Sequence, residues 1–336
     1  MNQAKRYVKS RIVGTGSYLP KAVMDNSCIA SRFDLPNEDI FRVTGIRTRH
    51  WVKKDEQCSD LAEQAARQAL AVAGIGSEAV EAILVSTTSP DMTIPSTACH
   101  LQRRLGAKHV AAFDLAASCT GFLYGLSMAD SFIQAGQYGC CLVVASEVKS
   151  RYLDSSQKSS AVLFGDGAGA VVLMREESEN PSSPGILGIR LYSDGACNDL
   201  ISVSAGGSRL PTSSDTVKNQ LHAIKLKGGT VFRVAVKRLT AAIEAMLEDS
   251  HLTLADVQHV IAHQANGRML AAIAKRLNIA PERMFSIIEH AGNTSSASLP
   301  MALAGADQEG KLVPGNLLVL GAFGGGLTWG TALVRW

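Results

Sequence analysis

The chain has 336 residues, of which 46% are hydrophobic and 19% are charged, a balance that excludes a disordered or collagen-like protein. Its formal net charge is +3, from 33 Lys and Arg against 30 Asp and Glu, too small for a dedicated nucleic-acid binder. Seven cysteines without a Cys-x-x-Cys pair are typical of a reducing compartment. Because no signal-peptide core follows the charged start and no apolar run could span a bilayer, we expect a cytoplasmic protein without a membrane or nucleic-acid partner.

The predicted helices and strands occur twice in the same order. Residues 61–73 have the periodicity of an amphipathic helix, and a turn separates them from an apolar strand at 80–85. A second helix at 234–248 leads in the same way to a strand at 257–262. Matching order of this kind indicates an internal duplication.

Each copy also closes with a strand, a glycine-rich turn and a second strand. In the first copy a strand at 142–145 precedes the turn at 165–169, and in the second a strand at 317–320 precedes the turn at 324–326. The first turn has glycine spacing similar to that of a dinucleotide-binding loop. Such a loop leads into a helix, whereas a Val-rich strand follows here, so we interpret this turn as structural.

These patterns predict an α/β protein built from two related halves, residues 1–175 and 176–336. The polar segment at 175–185 would join them. In such folds the reactive side chains lie at strand ends and between the halves. The polar residues that end predicted strands are therefore the candidates for chemistry.

Cys119 is the candidate nucleophile. It follows a predicted strand at 110–115 and begins a helical pattern. The free N–H groups and the positive dipole end at a helix N-terminus favour a thiolate, which is the nucleophilic form of cysteine. The alternative is a small buried apolar side chain, which fits the other six cysteines better.

Two further candidates come from the second half. His263 directly follows a strand, which places its imidazole at the strand end, although histidines are more often structural than catalytic. Asn293 lies in a loop of small residues, where an asparagine beside glycine often only forms a turn. With Cys119 they supply the thiolate, imidazole and amide of a thioester-handling site, and N–H groups of the turn at 324–326 would complete an oxyanion hole.

Several segments resemble β-ketoacyl-ACP synthase III, a family of the thiolase-like superfamily, and together they extend over nearly the whole chain. The resemblance implies a homodimer of α/β subunits with a thiolase-like αβαβα five-layer fold made from two duplicated halves, the first carrying the nucleophilic Cys and the second the His and Asn. It implies no metal and no cofactor besides the substrates. The segments are residues 44–47, 117–122, 164–170, 263–266, 292–294 and 323–330.

The resemblance also implies a mechanism, the decarboxylating Claisen condensation that initiates fatty acid biosynthesis. Cys119 would take an acyl group from an acyl-CoA primer, and malonyl-ACP would then enter. His263 and Asn293 would donate hydrogen bonds to the malonyl thioester oxygen and stabilise the enolate formed as CO₂ leaves. The N–H groups of Cys119 and Gly325 would hold the oxyanion, and Phe323 would disfavour the carboxylate and so promote its loss.

Acyl carrier protein is acidic, so the resemblance implies a local basic face. The alternative to a docking face is an ordinary solvated helix surface. The matching positions for carrier docking are Arg233, Arg268, Lys275 and Arg276, and those for CoA or pantetheine binding are Lys158 and Asn266.

The departures from the family concern the substrate. Asp39 and Val43 stand where many bacterial members have a tryptophan and an arginine that hold the CoA adenine, and Lys158 replaces another arginine. Ile94 lies where acetyl-selective members often carry a phenylalanine that closes the acyl pocket across the dimer, so a larger primer is expected here. An alternative is thus a related ketosynthase or acyltransferase of a secondary-metabolite pathway, of quinolone, resorcinol or polyketide type, with a non-acetyl primer.

Two other classes are weaker alternatives. The chain order Cys, His, Asn also occurs in papain-like cysteine hydrolases, but the local sequence around Cys119 and the duplicated α/β pattern do not fit them. A non-catalytic partner subunit is the other alternative, and the intact set of three candidate residues argues against it.

Overall fold

The computed structural model describes residues 7–33, 37–154 and 158–336. Its strands are β1 (Tyr7–Tyr18), β2 (Ala22–Asp25), β3 (Thr48–Trp51), β4 (Ala82–Ser86), β5 (Ala111–Leu115), β6 (Cys140–Glu147), β7 (Gly167–Ser178), β8 (Gly185–Ser193), β9 (Ile201–Val203), β10 (Ile224–Leu226), β11 (His259–Ala262), β12 (Met284–Phe285), β13 (Leu317–Gly324) and β14 (Thr328–Arg335). Its α-helices are α1 (Asn26–Phe33), α2 (Asn37–Thr44), α3 (Cys58–Ala73), α4 (Thr97–Leu105), α5 (Gly121–Gln134), α6 (Lys158–Ala161), α7 (Ser214–Lys218), α8 (Gly228–Asp249), α9 (Gly267–Arg276), α10 (Ile288–Ala291) and α11 (Ser298–Gln308).

Two five-stranded sheets have the same topology. The first has the strand order β1-β7-β6-β4-β5, and the second has the order β8-β14-β13-β11-β12. In both sheets the first two pairs of adjacent strands are antiparallel, and the last two pairs are parallel. The duplication predicted from the order of elements is therefore confirmed in three dimensions.

Helices and sheets alternate in five layers. Helices α5 and α11 lie between the two sheets and share one apolar cluster with residues of both. Helices α3 and α4 cover the outer face of the first sheet, and α8 and α9 cover that of the second. Strands such as β4 and β13 are thus buried on both faces, which explains why they are continuous apolar runs in the sequence.

The chain passes from the first sheet to the second between Ser178, where β7 ends, and Gly185, where β8 begins. Because the central helices α5 and α11 belong to one apolar cluster, each half buries its inner face against the other. That the two halves divide between residues 175 and 176 remains a prediction.

Of the turn predicted at 165–169, only Gly165 and Asp166 lie outside the strand, because β7 begins at Gly167. The segment has the structural role predicted for it. Asp166 is fully buried, and its carboxylate accepts hydrogen bonds from the backbone N–H of Val52 (2.8 Å) and of Ser150 (2.7 Å). Gly169 lies within β7, and a Cβ there would approach the backbone N of Met301 in α11 to 2.6 Å. The glycine allows the central helix to pack closely on the sheet.

Candidate active site

Cys119 lies at the junction between β5 and α5. It occupies a 3₁₀ turn, Ser118–Thr120, and α5 begins only at Gly121. The prediction that the helix begins at Cys119 is therefore wrong by two residues, because the tight turn intervenes. The cysteine still precedes the first turn of the helix, and only 9% of its surface is exposed.

Burial dominates the acidity of this cysteine. It raises the pKa of the Cys119 thiol to about 11, although a hydrogen bond with Ser295 and the charge of Lys149 act in the opposite direction. The expectation that the helix end favours a thiolate is thus opposed by desolvation. At neutral pH the thiol form is the resting state, so its proton must leave during acylation.

A polar network that the sequence did not indicate lies beside the thiol. The hydroxyl of Ser295 is 3.5 Å from Cys119 Sγ and donates to Glu147 Oε1 at 3.1 Å. Either the S–H group or the Ser295 hydroxyl can be the donor between these two residues, and a hydroxyl that donates to sulfur favours the thiolate. Glu147 also pairs with Lys149 Nζ at 2.9 Å, and both residues are buried.

The charge of Glu147 is stabilised within this network. Burial is the largest influence and would raise the pKa of the carboxyl group, but the Lys149 charge and hydrogen bonds from Ser89 and Thr88 leave it below its ordinary value. Hydroxyl groups of Ser89 (2.7 Å) and Ser296 (2.9 Å) also donate to it. Glu147 thereby anchors the segment that carries Ser295.

His263 follows β11 and is oriented from α11. Its Nδ1 atom lies 2.6 Å from the hydroxyl oxygen of Ser298, which also accepts the backbone N–H of Gln264 at 3.1 Å. Burial lowers the pKa of His263 to about 4. The imidazole is therefore neutral at physiological pH, with one ring nitrogen assigned to Ser298 and the other left for a ligand.

Asn293 is fixed through both its backbone and its side chain. Its backbone N–H donates to Leu163 O at 2.9 Å, and its Oδ1 accepts the backbone N–H of Ser295 at 2.9 Å. Its Nδ2 donates one hydrogen bond to Ala265 O at 3.2 Å. An amide nitrogen carries two hydrogens, so this geometry leaves one donor for the cavity.

The second glycine-rich turn packs against the cysteine. A Cβ at Gly324 would lie 2.7 Å from the backbone N of Cys119, so only glycine permits this approach. Gly325 follows at the wall of a cavity that also contains Cys119. Phe323, at the end of β13, is 5% exposed and faces another cavity beside His263.

Two cavities meet at Cys119. One of about 450 Å³ brings together Cys119, His263, Asn293 and Phe323, so the structure places all the predicted reactive side chains around one space. The other, of about 810 Å³, is lined by Ser118, Gly325, Ser295, Lys149 and several tyrosine, serine and threonine side chains, as well as Cys119. We name the first the condensation cavity and the second the acyl-side cavity.

The predicted binding residues divide into two groups. Arg233, Arg268 and Asn266 line the condensation cavity. Asn266 also caps α9 by accepting the N–H of Arg268 at 2.8 Å, a structural role the sequence did not assign to it. Lys275 and Arg276 are exposed in the last turn of α9 and do not line that cavity.

The residues that depart from the family pattern lie at the periphery. Asp39 forms an exposed ion pair with Arg42 at 2.7 Å, and Val43 lines the condensation cavity. The side chain of Lys158 lies outside the described residues. Ile94 is 83% exposed and lines neither cavity of the single chain; its predicted role concerns a partner subunit's pocket and remains a prediction.

Neither a membrane-spanning helix nor a metal-binding cluster occurs among the described residues. Among the described residues, no helix has the length and apolar character needed to cross a bilayer. Within the same ranges, His, Cys, Asp and Glu side chains form no cluster of three or more that could hold a metal ion.

Comparisons with known proteins agree with the geometry. The family model described as 3-oxoacyl-[acyl-carrier-protein (ACP)] synthase III matches residues 113–195, and the one for its C-terminal part matches residues 247–336. The chain is 44% identical over 329 residues to the β-ketoacyl-[acyl-carrier-protein] synthase III of Rhodospirillum centenum, which covers 98% of this chain and 99% of that one.

Solved structures extend the similarity to the fold. The 3-oxoacyl-[acyl-carrier-protein] synthase III of Aquifex aeolicus superimposes with a TM-score of 0.88 at 40% identity, covering 97% of this chain and all of that one. The priming β-ketosynthase of the R1128 polyketide biosynthetic pathway gives a TM-score of 0.89 at 31% identity, with coverage of 100% and 98%. Both likenesses span both halves of the molecule.

Proposed function

Because this chain belongs to the β-ketoacyl-[acyl-carrier-protein] synthase III family and is a condensing acyltransferase, we propose that it joins an acyl primer to malonyl-ACP through an acyl-Cys119 intermediate. The observation that carries this proposal is the convergence of Cys119, His263, Asn293 and Phe323 on one cavity. The product would be a β-ketoacyl-ACP that enters fatty acid biosynthesis, and the enzyme would work in the cytoplasm.

Acylation is the first half-reaction. Cys119 loses its proton, and its sulfur attacks the thioester carbonyl of an acyl-CoA. The N–H groups of Cys119 and Gly325, both at the acyl-side cavity, would hold the oxyanion of the tetrahedral intermediate. The bond from carbon to the CoA sulfur then breaks, and the CoA thiolate takes up the proton that Cys119 lost.

Condensation is the second half-reaction. The malonyl group loses CO₂, and the electron pair left behind forms an enolate on its thioester oxygen. The carbanion carbon attacks the acyl carbonyl, a carbon–carbon bond forms, and the acyl bond to Cys119 breaks to return the sulfur as a thiolate. No proton has to be abstracted from carbon, so an amide and a neutral imidazole suffice.

The hydrogen bonds that His263 and Asn293 form within the structure support donor roles for both residues. Because Ser298 Oγ accepts the N–H of Gln264, its hydroxyl proton is available for Nδ1 of His263. The ring proton would then reside on Nε2 and point to the thioester oxygen. The second N–H of Asn293 would be the other donor, and the apolar ring of Phe323 would disfavour the malonyl carboxylate.

Charge at the mouth of the condensation cavity supports carrier binding there. Arg233 and Arg268 are exposed and line this cavity, and Lys275 and Arg276 extend the positive surface along α9. An acidic carrier protein would dock on these four residues and pass its pantetheine arm inward, past Asn266 and toward His263. The CoA of the primer would enter by the same route, with Lys158 near its nucleotide.

An apolar edge strand supports a homodimer. Strand β5 is at the edge of the first sheet, where β4 is its one neighbouring strand among the described residues, and all its residues, Ala111–Leu115, are partly exposed. On the segment before α4, Met92 is 46% and Ile94 is 83% exposed. A second copy would cover this edge and these side chains, and Ile94 would then border the partner's acyl pocket.

A secondary-metabolite ketosynthase remains the second candidate, favoured by the size of the acyl-side cavity, about 810 Å³, and by the structural likeness to a polyketide priming enzyme. The two candidates share one mechanism and differ in the primer. The hydrolase alternative is wrong, because the fold and the family are those of condensing enzymes.

The decisive experiment is intact-mass measurement after incubation with acyl-CoAs of graded length. We expect a mass gain equal to one acyl group on the peptide that contains Cys119, and a β-ketoacyl product when malonyl-ACP is added. Cys119→Ala should show neither. Acyl transfer that persists in Cys119→Ala would refute the proposal, and exclusive use of acetyl-CoA would contradict the role assigned to Ile94.

A further inference from the structure

The acyl-side cavity contains a buried cation that the two half-reactions do not use. Lys149 lines this cavity together with Cys119, Ser295 and Gly325, and only 6% of its surface is exposed. Lysine is rarely buried to this extent unless it is paired. Its position raises the question of what the charge contacts on the cavity side.

The known partners of Lys149 do not use all of its hydrogen-bonding capacity. An ammonium group has three N–H donors. Among the described residues, Glu147 Oε2 accepts one at 2.9 Å and Thr88 Oγ1 accepts another. The ring of Tyr152, which also lines the cavity, has its centroid 5.7 Å from Nζ. No oxygen acceptor in the described ranges takes the third donor, which therefore remains for a group inside the cavity.

A purely apolar primer would not need this arrangement. Replacing a buried ion pair with apolar side chains of similar size is often neutral or stabilising, and an apolar wall would suit an aliphatic acyl chain better. The rest of the wall is mixed. Tyr124, Tyr152, Asn198 and Ser202 line it together with apolar side chains, among them Leu115, Met128, Phe164, Ile201, Val203 and Ile224. The cavity thus combines an apolar wall with one buried cation, which suits an acyl chain that carries a single oxygen-bearing group.

We propose that Lys149 is a specificity-determining residue that hydrogen-bonds to an oxygen acceptor, a ketone carbonyl or a carboxylate, on the acyl chain of the primer. The inference deepens the proposed function and rests on it. Ser295 and Glu147 connect the cysteine to the lysine by contacts of 3.5, 3.1 and 2.9 Å. Cys119 and Lys149 line the same cavity, so an acyl group held on Cys119 would extend into the space that Lys149 borders.

A structural role for Lys149 makes a different prediction. If the lysine serves only to neutralise Glu147, which holds Ser295 beside the thiol, its loss should slow the acylation of Cys119 equally for every primer. If it binds the primer, its loss should slow only primers that carry an acceptor. The comparison of matched primers therefore separates the two roles.

The test uses three thioesters of nearly equal shape: 4-methylpentanoyl, 4-oxopentanoyl and succinyl N-acetylcysteamine. They lack a nucleotide, so acylation does not depend on how CoA is held. A longer pair, 6-methylheptanoyl and 6-oxoheptanoyl, covers a deeper acceptor position. Rates of Cys119 acylation are measured by intact mass, and we expect an acceptor-bearing primer to react about tenfold or more faster than its methyl-branched match.

Lys149→Met should abolish this preference and leave the methyl-branched primers as fast as before or faster. The double variant Glu147→Gln/Lys149→Met removes both buried charges. It provides the same test of the primer preference if the single variant does not fold. Lys311→Met, at an exposed lysine, is the matched control and should keep the preference. A ketone preferred over succinyl would identify a neutral acceptor, and the reverse would identify a carboxylate; either supports the proposal.

Two results would overturn it: equal rates within each matched set in the wild type, or a uniform loss of rate across all primers in Lys149→Met and in the double variant. Failure of every thioester to acylate Cys119 is a distinct outcome, because it would contradict the proposed function itself and the inference with it.

Discussion

The two cavities that share Cys119 differ in the chemistry of their walls. The condensation cavity holds His263, Asn293 and Phe323, with two arginines at its mouth. The acyl-side cavity is larger and is lined by Lys149, which pairs with the fully buried Glu147 behind the wall. The residues of the condensation cavity suit a chemical step that is the same for many substrates. Those of the acyl-side cavity suit the selection of one primer among several. Substitutions in the two walls should therefore have separable effects.

The largest difference between effects on condensation and effects on acylation is expected for substitutions of the hydrogen-bond donors in the condensation cavity. Substitutions His263→Ala and Asn293→Ala should lower the condensation rate by about 100-fold or more, because each removes a hydrogen bond to the developing enolate. Acylation of Cys119 should largely persist, since its oxyanion would be held by N–H groups at the other cavity. Condensation is measured with malonyl-ACP and acylation by intact mass.

The exposed His290 provides the control for this split. His290→Ala should leave both half-reactions unchanged. Loss of acylation in His263→Ala before any loss of condensation would assign the histidine to the first half-reaction and contradict the proposed division between the cavities.

The next largest effect is the pH dependence of the reactivity of the Cys119 thiol, where the two cavities meet. Because burial raises the pKa of Cys119 to about 11, the thiolate fraction, and with it the alkylation rate, should rise about tenfold per pH unit between about pH 7 and 10. Iodoacetamide labelling of the Cys119 peptide, followed by mass spectrometry, measures this rate. A plateau below about pH 9 would mean that the helix dipole outweighs burial.

The repeated fold was predictable because its signals are local. An apolar run of five residues such as β4, the amphipathic helix α3 and the turn between them can each be recognised within a short window. Order alone then indicated the duplication. The start of α5 was misplaced because a 3₁₀ turn at Ser118–Thr120 has the same short-range pattern as a helix.

The polar network beside Cys119 was not predictable from such signals. Glu147 and Lys149 stand at the end of an apolar strand, where charged residues usually mark the return to solvent. Their burial depends on Ser295, which lies 148 residues from Glu147 in the sequence. Ser298 was missed for the same reason, since nothing near it shows that His263 packs against it. The local sequence gives one signal for this pair: an acidic residue, Glu147, and a basic residue, Lys149, stand two positions apart.

Charge reversal at the mouth of the condensation cavity should have a smaller effect. Arg233→Glu/Arg268→Glu should raise the KM for malonyl-ACP about tenfold, chiefly by slowing association. Acylation from an N-acetylcysteamine thioester, which needs no carrier protein, should not change. Since Lys275 and Arg276 lie farther along α9, reversal of that pair should raise the KM less. Equal effects from both pairs would indicate long-range attraction rather than contact at the mouth.

The smallest effect is expected at Ser298, which touches His263 and would act by positioning it. Ser298→Ala should lower the rate of condensation by about tenfold or less, because the imidazole remains but loses the partner that fixes its orientation and tautomer. Acylation of Cys119 should be unaffected, and Ser298→Thr, which keeps the hydroxyl, should restore condensation. A parallel loss of both half-reactions in Ser298→Ala, not rescued by threonine, would show a general packing role instead. Loss of condensation without loss of acylation would assign Ser298 to the same half-reaction as His263. Loss of both half-reactions would weaken the contrast between the two cavities.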